Sequence, residues 1–483
     1  MKLISHGHSQ EGEEDDDRFS MLTDDIILSI LGRVDLTTAA STCVLSTRWK
    51  NLPWLLHELN IDVKDFIPAP HPNPIQAQHV DAAMASVAQV VRSYLATHRK
   101  AEDSTISKLQ FTLYLVNSHV HIIGDLLNDA IDVGIVKDLD LTILHEKDPN
   151  DCKNEDMFQQ ARSVDAFFSA CPSVLHCLTK LSLHNVCFAE LDWNHVLSES
   201  CKQLRHLYLA NCDAGLLTWK IDAPDSNLTV LELDVCFLVK LEVSHLPKLE
   251  RLLWDGWACS RIPLLLGVVP SLKEVYILSG ATICSKEFKL SEALGAAAAI
   301  EDLTLSFQGK NLWMQPEGEQ LCAAFSKLRK LSLHDIFVEF DLSWTMVLLE
   351  AAPSVEIFDA DIWEHRCRVD TKERRQVFGR TKPSWKVAEF TNRKEWNLKE
   401  VQIAGFSPIE QQITFLKAVM ERAPNLRTII LRDHQRCEDC EKRLPKRVLK
   451  ERGFPKGKDE QDMVVNQLIG DTAYSHVQII FGN

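Results

Sequence analysis

Cys437 and Cys440 in "RCEDC" stand at the spacing by which two thiolates share a zinc ion. A closed structural zinc site takes four ligands. The best further donors, His434 and Cys367, make a poor set, so the pair reads as a loop bearing two thiols, with a metal-dependent or thiol enzyme as the competing reading. No metal and no cofactor is expected. The sequence has no Gly-rich phosphate loop after a strand pattern, no G-x-S-x-G elbow and no H-E-x-x-H helix. The expectation is a chain with no active site of its own. "EKRLPKRVLKERGFPKGK", residues 441 to 458, is the one basic run; it suits a nuclear-import signal or an anion contact, and more simply a solvated loop. A chemistry of docking rather than bond making is suggested by "VLSTRWKNL", residues 44 to 52. There Trp49 lies between Arg48 and Lys50, with Val44, Leu45 and Leu52 around it.

Composition bounds what can position such residues. The chain has 483 residues, 45% of them hydrophobic and 25% charged, enough for several domains' worth of core or one elongated repeat structure. A formal net charge of -15 argues against nucleic acid or an anionic membrane as partner, because both need a positive field. No apolar run approaches the roughly 18 to 20 residues that span a bilayer. The N-terminus turns acidic where a secretory peptide has its apolar core. An intracellular location, nucleus or cytoplasm, is expected. The 14 cysteines are then reduced thiols, most of them filling small apolar gaps.

Five segments follow from the changes in composition. Residues 1–18 carry Glu11, Glu13, Glu14 and Asp15 to Asp17 with almost no apolar content, and read as a disordered acidic arm. Residues 19–66 are a compact apolar segment. Residues 67–105 are a proline-rich connection, with four prolines from Pro68 to Pro74, and a linking helix. From 106 to 384 a phrase with apolar residues at positions 1, 4 and 6 keeps returning, and residues 385–483 close the chain with further copies.

The clearest copies of the phrase begin at Leu178, Leu204, Leu228, Leu272, Ile300, Leu328, Leu398 and Leu426, with weaker ones at Ile106, Val136, Leu249 and Val355. Fourth positions are 24 to 28 residues apart from Leu181 to Leu231 and from Val275 to Leu331, within the roughly 20 to 29 residues of a leucine-rich repeat. Longer gaps, Leu139 to Leu181 and Phe358 to Val401, are expected to hold insertions. Each copy predicts a short strand with positions 4 and 6 in the core and position 5 on the concave surface. Ser182, Tyr208, Glu232, Tyr276 and Thr304 are the position 5 side chains offered to a partner. Helical patterns lie between, in "GEQLCAAFSKL", "LSWTMVLLEAAPSV" and "IEQQITFLKAVMERAPNL", the last two stopped by Pro353 and Pro424. Cys212 and Cys236, at the ninth position, fit the turn leaving the strand. Of the eleven tryptophans, Trp219, Trp254, Trp257, Trp313, Trp344 and Trp363 fall near repeat turns and are expected in the core rather than on a recognition surface.

In the apolar N-terminal segment three helices can be drawn. Thr23 caps the first, with Asp24 and Asp25 in its opening turn and Ile26, Ile27, Ile30, Leu31 and Val34 as one stripe. The second runs from Asp35 or Thr37 through Ala39, Ala40, Cys43 and Val44. The third covers Ser46 to Leu52 and is ended by Pro53.

This segment resembles an F-box of the plant type, which reads D-R-I-S-x-L-P-D-D-I-L, then I-L-x-x-L, then A-x-T-x-V-L-S-x-R-W, then L-W. The matches are Asp17, Arg18, Ser20, Leu22, Asp24, Asp25, Ile26, Ile30, Leu31, Ala40, Thr42, Val44, Leu45, Ser46, Arg48, Trp49 and Leu52. Thr23 replaces the usual Pro in a turn that contacts the adaptor in that family, Val34 and Asp35 replace L-P, and Pro53 makes L-W into "LPW". F-box, proline-containing connection and irregular leucine-rich repeats is the order of the plant F-box/leucine-rich-repeat proteins. Trp385 to Phe481 is similar to their FBD-type C-terminal region, with "SHVQIIF" as its last strand.

The resemblance implies an α/β chain: a three-helix F-box, then an irregular solenoid whose curved parallel sheet carries outer helices. It implies the substrate-recognition subunit of an SCF-type ubiquitin ligase. Leu22, Thr23, Ile26, Val44, Leu45, Arg48, Trp49, Leu52 and Trp54 would meet a Skp-family adaptor, and through it cullin and a RING subunit. The repeats would hold an unidentified target protein. The alternative is a non-ligase interaction scaffold with a degenerate F-box.

Overall fold

The computed structural model describes residues 21–482 apart from 35, 51, 69–74, 99–104, 117–118, 188–192, 214, 216–217, 237, 256–262, 279–287, 296, 309–311, 315, 338–340, 364–394, 434–452, 471–473 and 475. The acidic arm, most of the proline run, Trp257, Cys367, His434, Cys437, Cys440 and most of the basic run lie outside the described residues, as do the side chains of Thr37, Trp54 and Trp363.

The returning phrase builds strands. They are β1 (Glu58–Asp62), β2 (Ile106–Tyr114), β3 (Val136–Leu144), β4 (Leu178–His184), β5 (His206–Ala210), β6 (Thr218–Asp222), β7 (Val230–Asp234), β8 (Lys240–His245) and β9 (Arg251–Asp255). Then come β10 (Leu264–Val268), β11 (Glu274–Leu278), β12 (Asp302–Ser306), β13 (Lys330–Phe337), β14 (Ile357–Trp363), β15 (Glu400–Ala404), β16 (Thr428–Arg432) and β17 (Gln478–Gly482). Fourteen of them form one parallel sheet in the order β1-β2-β3-β4-β5-β7-β9-β11-β12-β13-β14-β15-β16-β17. Fourth positions meet across it, Leu181 on Leu207, Leu207 on Leu231, Leu303 on Leu331 and Val401 on Ile429. This register is set by burial. From β2 to β16 in the large sheet, positions 4 and 6 of the phrase are essentially sealed from solvent, each worth about 2 kcal/mol against exposure, and a slip of one residue would bring the whole row to the surface.

Helices cover the other side of the sheet at both ends of the arc. α1 (Asp24–Leu31) and α2 (Leu36–Ser41) belong to the N-terminal module; α3 (Ala77–His98), α4 (His119–Asp132) and α5 (Asn154–Ala170) return the chain between β1 and β4. The linking helix expected in 67–105 is thus α3, the first outer helix of the solenoid, tied down where buried Tyr94 donates its hydroxyl to the Leu56 carbonyl at 2.8 Å. The long gap before β4 holds α5 and a short helix, Pro172–Cys177. α5 opens on Asn154, Glu155 and Asp156, and the Asp156 carboxylate accepts the Lys153 amide at 3.0 Å, so charge and hydrogen bond both favour a start there.

In the centre the outer layer differs from the expected helices. β10, β8 and β6 form a second parallel sheet of three strands on the return segments. Fourth positions here are Leu207, Leu231, Leu252 and Val275, at spacings too short for a helix with two loops, and an extended return crosses the repeat with fewer residues. Residues 318–328 also differ: Glu319–Leu321 is one 3-10 turn followed by further tight turns that still bury Leu321, Phe325 and Leu328. The greater rise per residue of such turns spans the same width. Thr345–Ala351 and Glu410–Arg422 are helices that end before Pro353 and Pro424.

The N-terminal segment has two helices where the sequence suggests three. α2 runs into a 3-10 turn at Thr42–Val44, residues 47–50 are turns, and Leu52–Leu55 is a 3-10 helix with Pro53 inside it rather than after it. Proline has no amide to lose in a first turn, which is why it fits. β1 lies within residues 19–66, assigned from sequence to the F-box, past the last helix drawn there, because Leu59 and Ile61 repeat the strand alternation.

Candidate functional site

Two surfaces emerge. The first is the N-terminal module, whose apolar stripe on α1 is divided. Ile27 and Leu31 join the core with Leu36, Ala39, Trp49, Leu52 and Leu56, whereas Ile26, Ile30 and Val34 remain exposed. Val44 and Leu45, in and just after the 3-10 turn, are 87% and 65% exposed. Five large apolar side chains of the module are thus left in contact with solvent.

The structure separates the predicted adaptor residues into two groups. Ile26, Val44 and Leu45 face solvent, as does Thr23; Leu22 is half-buried. Trp49 and Leu52 are buried at 7% and 4% exposure, so they hold the module together instead of offering a contact. Arg48 is engaged within the chain. Its Nε donates to Asp24 Oδ1 at 2.8 Å and its Nη2 to the Leu22 carbonyl, closing residues 22–24 onto the turn at 48. Thr23 occupies the N-cap position in extended conformation, but its side chain makes no capping hydrogen bond. The Arg48–Asp24 pair ties the start of α1 to the turn at 48; half exposed as it is, it contributes at most about 1 kcal/mol.

The second surface is the concave face, where odd positions of successive strands stand abreast about 4.8 Å apart. Tyr208, Glu232 and Tyr276 are partly exposed there as expected, but Ser182 and Thr304 are buried, being too short to rise past their neighbours. The polar contacts of this face involve positions 3 and 7 as much as position 5. His206 Nε2 lies 3.1 Å from Glu232 Oε2, and Arg251 reaches Glu232 at 3.6 Å and Glu274 at 3.9 Å while its guanidinium sits 5.0 Å over the Tyr276 ring. Tyr208 donates its hydroxyl to Asp234 at 2.7 Å, and burial with Asp234 beside it raises the phenol's pKa. Gln308 donates to Asp255 at 2.8 Å, and Ser306 to Asp335 at 2.7 Å. From β7 to β14 acids outnumber bases on these positions. A sequence reading confined to position 5 passes over this; the signal was present in the residues on either side of it.

Buried carboxyl chemistry is found at Asp302. Its Oδ1 is sealed from solvent without a hydrogen bond, and burial raises its pKa, opposed by Lys330. The tryptophans at the repeat turns are core: Trp219, Trp254, Trp313 and Trp344 are all buried. The Cys212 and Cys236 thiols are buried and lie 3.5 Å and 3.2 Å from the carbonyls of Leu183 and Leu209, one repeat back. Among the described residues no group of three or more His, Cys, Asp or Glu is placed to hold a metal, and no described helix is long and apolar enough to cross a membrane.

No curated protein matches the chain. Residues 165–455 match the family model for the leucine-rich-repeat domain of At1g61320/AtMIF1. That match runs from within α5 past β16 and takes in well over half of the sequence, and with the register and the parallel sheet it makes the chain a member of the At1g61320/AtMIF1 leucine-rich-repeat domain family.

Proposed function

We propose that the chain is the target-recognition subunit of an SCF-type ubiquitin ligase, its N-terminal module an F-box docking on a Skp-family adaptor and its concave face holding the target protein. The observation that carries this reading is the exposure of Ile26, Ile30, Val34, Val44 and Leu45 on a module whose own core is already closed by Trp49 and Leu52. Burying such side chains against a partner returns about 25 cal/mol for each Å² of apolar surface removed from water. The chain then makes no covalent bond itself. It holds the target's lysines near a ubiquitin-charged enzyme brought by cullin and RING, which is acceleration by raised local concentration. The FBD-like reading of the C-terminal repeats belongs to the same proposal.

A second reading, a scaffold whose F-box no longer engages the ligase, is favoured by one observation: Arg48 is held by Asp24 and Leu22 at the turn where Thr23 replaces Pro. Pull-down separates the two. The full chain is expected to recover a Skp-family adaptor together with cullin, and Val44→Ala with Leu45→Ala to lose both while the repeats stay folded. Recovery of adaptor without cullin supports the scaffold, and adaptor binding undiminished in the double variant overturns the assignment of this surface.

A further inference from the structure

We propose that the concave face between β12 and β14 is a receptor for a lysine or arginine side chain carried by a protein partner, seated on Asp302, Ser332 and Asp359. The proposal rests on the reading of the concave face as the target-holding surface, and names the chemistry of what it holds.

Thr304, Ser332 and Asp359 stand abreast on three adjacent strands, with Asp302 and Lys330 abreast on the first two, one exposed-face position earlier. Leu331 and Leu333 point into the core, so Ser332 between them is directed to the concave side. Its side chain is 1% exposed, yet its Oγ has no hydrogen-bond partner among the described residues, and the same holds for Asp302 Oδ1. Two sealed polar atoms without partners, on adjacent strands and one exposed-face position apart, are costly unless something donates to them. Donors are what a guanidinium or an ammonium has in excess, and neither can accept.

The charges nearby point the same way. Lys330 Nζ lies 3.9 Å from Asp302 Oδ2, at the outer limit of an ion pair, and His334 Nε2 makes a long hydrogen bond of 3.5 Å to Asp359 Oδ2. The acids are the inner members, 22% and 25% exposed, and their cations the outer ones, at 41% and 40%. Lys330 and His334 can therefore swing into solvent as an incoming cation takes their place, at little cost because long, exposed pairs contribute little. A nucleic acid is disfavoured by the two carboxylates of the site and by the chain's formal charge of -15. A metal ion is disfavoured by a lysine and a histidine standing between the two carboxylates and solvent. A cationic side chain on a protein segment is what remains.

The test uses the full chain and a fluorescein-labelled twelve-residue peptide with a central Arg-Lys-Arg, alongside the same peptide with three glutamines. Anisotropy is expected to show binding of the cationic peptide alone, weakened as salt is raised. Asp302→Asn with Asp359→Asn is expected to weaken it about tenfold or more. Glu421→Gln with Asp462→Asn removes two exposed acids from outer helices and is expected to change nothing. Ser332→Ala is expected to lower affinity without lowering thermal stability. No binding by the unaltered chain, equal weakening by the control pair, or a loss of stability in Ser332→Ala overturns the proposal.

A readout independent of folding is zero-length carbodiimide coupling of the peptide's lysine on the unaltered chain. The adduct is expected on Asp302 or Asp359; one spread over exposed acids overturns the site. Adaptor capture, read in parallel, reports on the N-terminal surface alone. A chain that binds the peptide and no adaptor refutes the ligase reading and leaves this one standing.

Discussion

Asn211 donates through Nδ2 to Oδ1 of Asn185 at 2.7 Å, and both residues have left-handed backbone, φ 49° and 54°. They hold the same place in successive repeats, just past the ends of β5 and β4, where the chain must turn sharply away from the sheet. Asn185 continues the line by donating to the Lys147 carbonyl at 3.0 Å. Asparagine suits the turn twice, because it tolerates φ above zero and its amide reaches back to the preceding repeat.

The next repeat breaks the ladder with Val235, φ 51°, a β-branched side chain 44% exposed. A left-handed β-branched residue carries strain on the order of 1 to 2 kcal/mol. Val235→Asn is therefore expected to stabilise the repeats by about 1 kcal/mol, read as a higher urea midpoint at unchanged slope. Val235→Gly relieves the same strain without extending the ladder and is expected to gain less. A Val235→Asn chain no more stable than the original would show that the turn is not limited by this residue.

Trp49 and the pair Val44 and Leu45 are expected to fail in different ways. Trp49 fills the module's core at 7% exposure, and truncation to Ala opens a cavity costing about 3 to 5 kcal/mol. Hydrogen exchange should then show the amides of α1 losing protection while those of β5 and β7 keep theirs. Val44→Ala with Leu45→Ala removes exposed groups and is expected to move stability by less than about 0.5 kcal/mol. Matching losses of protection in the two variants would mean that Val44 and Leu45 are part of the fold and not a free surface.

The repeat strands were legible in the sequence because one physical pressure writes them: positions 4 and 6 must be apolar in every copy, and Leu181 and Leu183 are typical. β1 carried the same signal in Leu59 and Ile61 but sat beside a helical module and was read as part of it. The central outer strands were harder. Trp219 with Ile221 and Leu241 with Val243 alternate as strands do, yet only the short spacing of their repeats says that no helix fits. In the N-terminal module the apolar stripe of α1 was visible, but which half of it the module consumes was not. That depends on how Trp49 and Leu52 close over Ile27 and Leu31, a matter of packing in three dimensions. The site at Asp302 and Ser332 depends on which side chains adjacent strands bring together, and the register between repeats supplies that.

His184 and His334, on the same concave face, should give stability opposite responses to pH. His184 stacks edge-on against Tyr208, ring centroids 5.7 Å apart. Burial, with Lys64 adding repulsion, pulls its pKa from 6.5 down to about 4. Its neutral form is the one the fold accepts. Above pH 6.5 both folded and unfolded chains are neutral there and nothing is lost; as pH falls from 6.5 toward 4 the unfolded chain takes the proton first, and stability drops. His334 is raised above 6.5 by its hydrogen bond to Asp359, so its contribution is complete below 6.5 and is lost as pH rises through the folded value. Replacing His184 by Asn is expected to recover about 1 to 2 kcal/mol of the stability that the original chain loses between pH 7 and pH 5. His334→Asn is expected to remove a gain over the same interval. Urea midpoints at the two pH values, compared between each variant and the original, isolate these histidines from the carboxylates that titrate lower. An unchanged pH 5 deficit in the His184 variant would place the proton-sensitive group elsewhere.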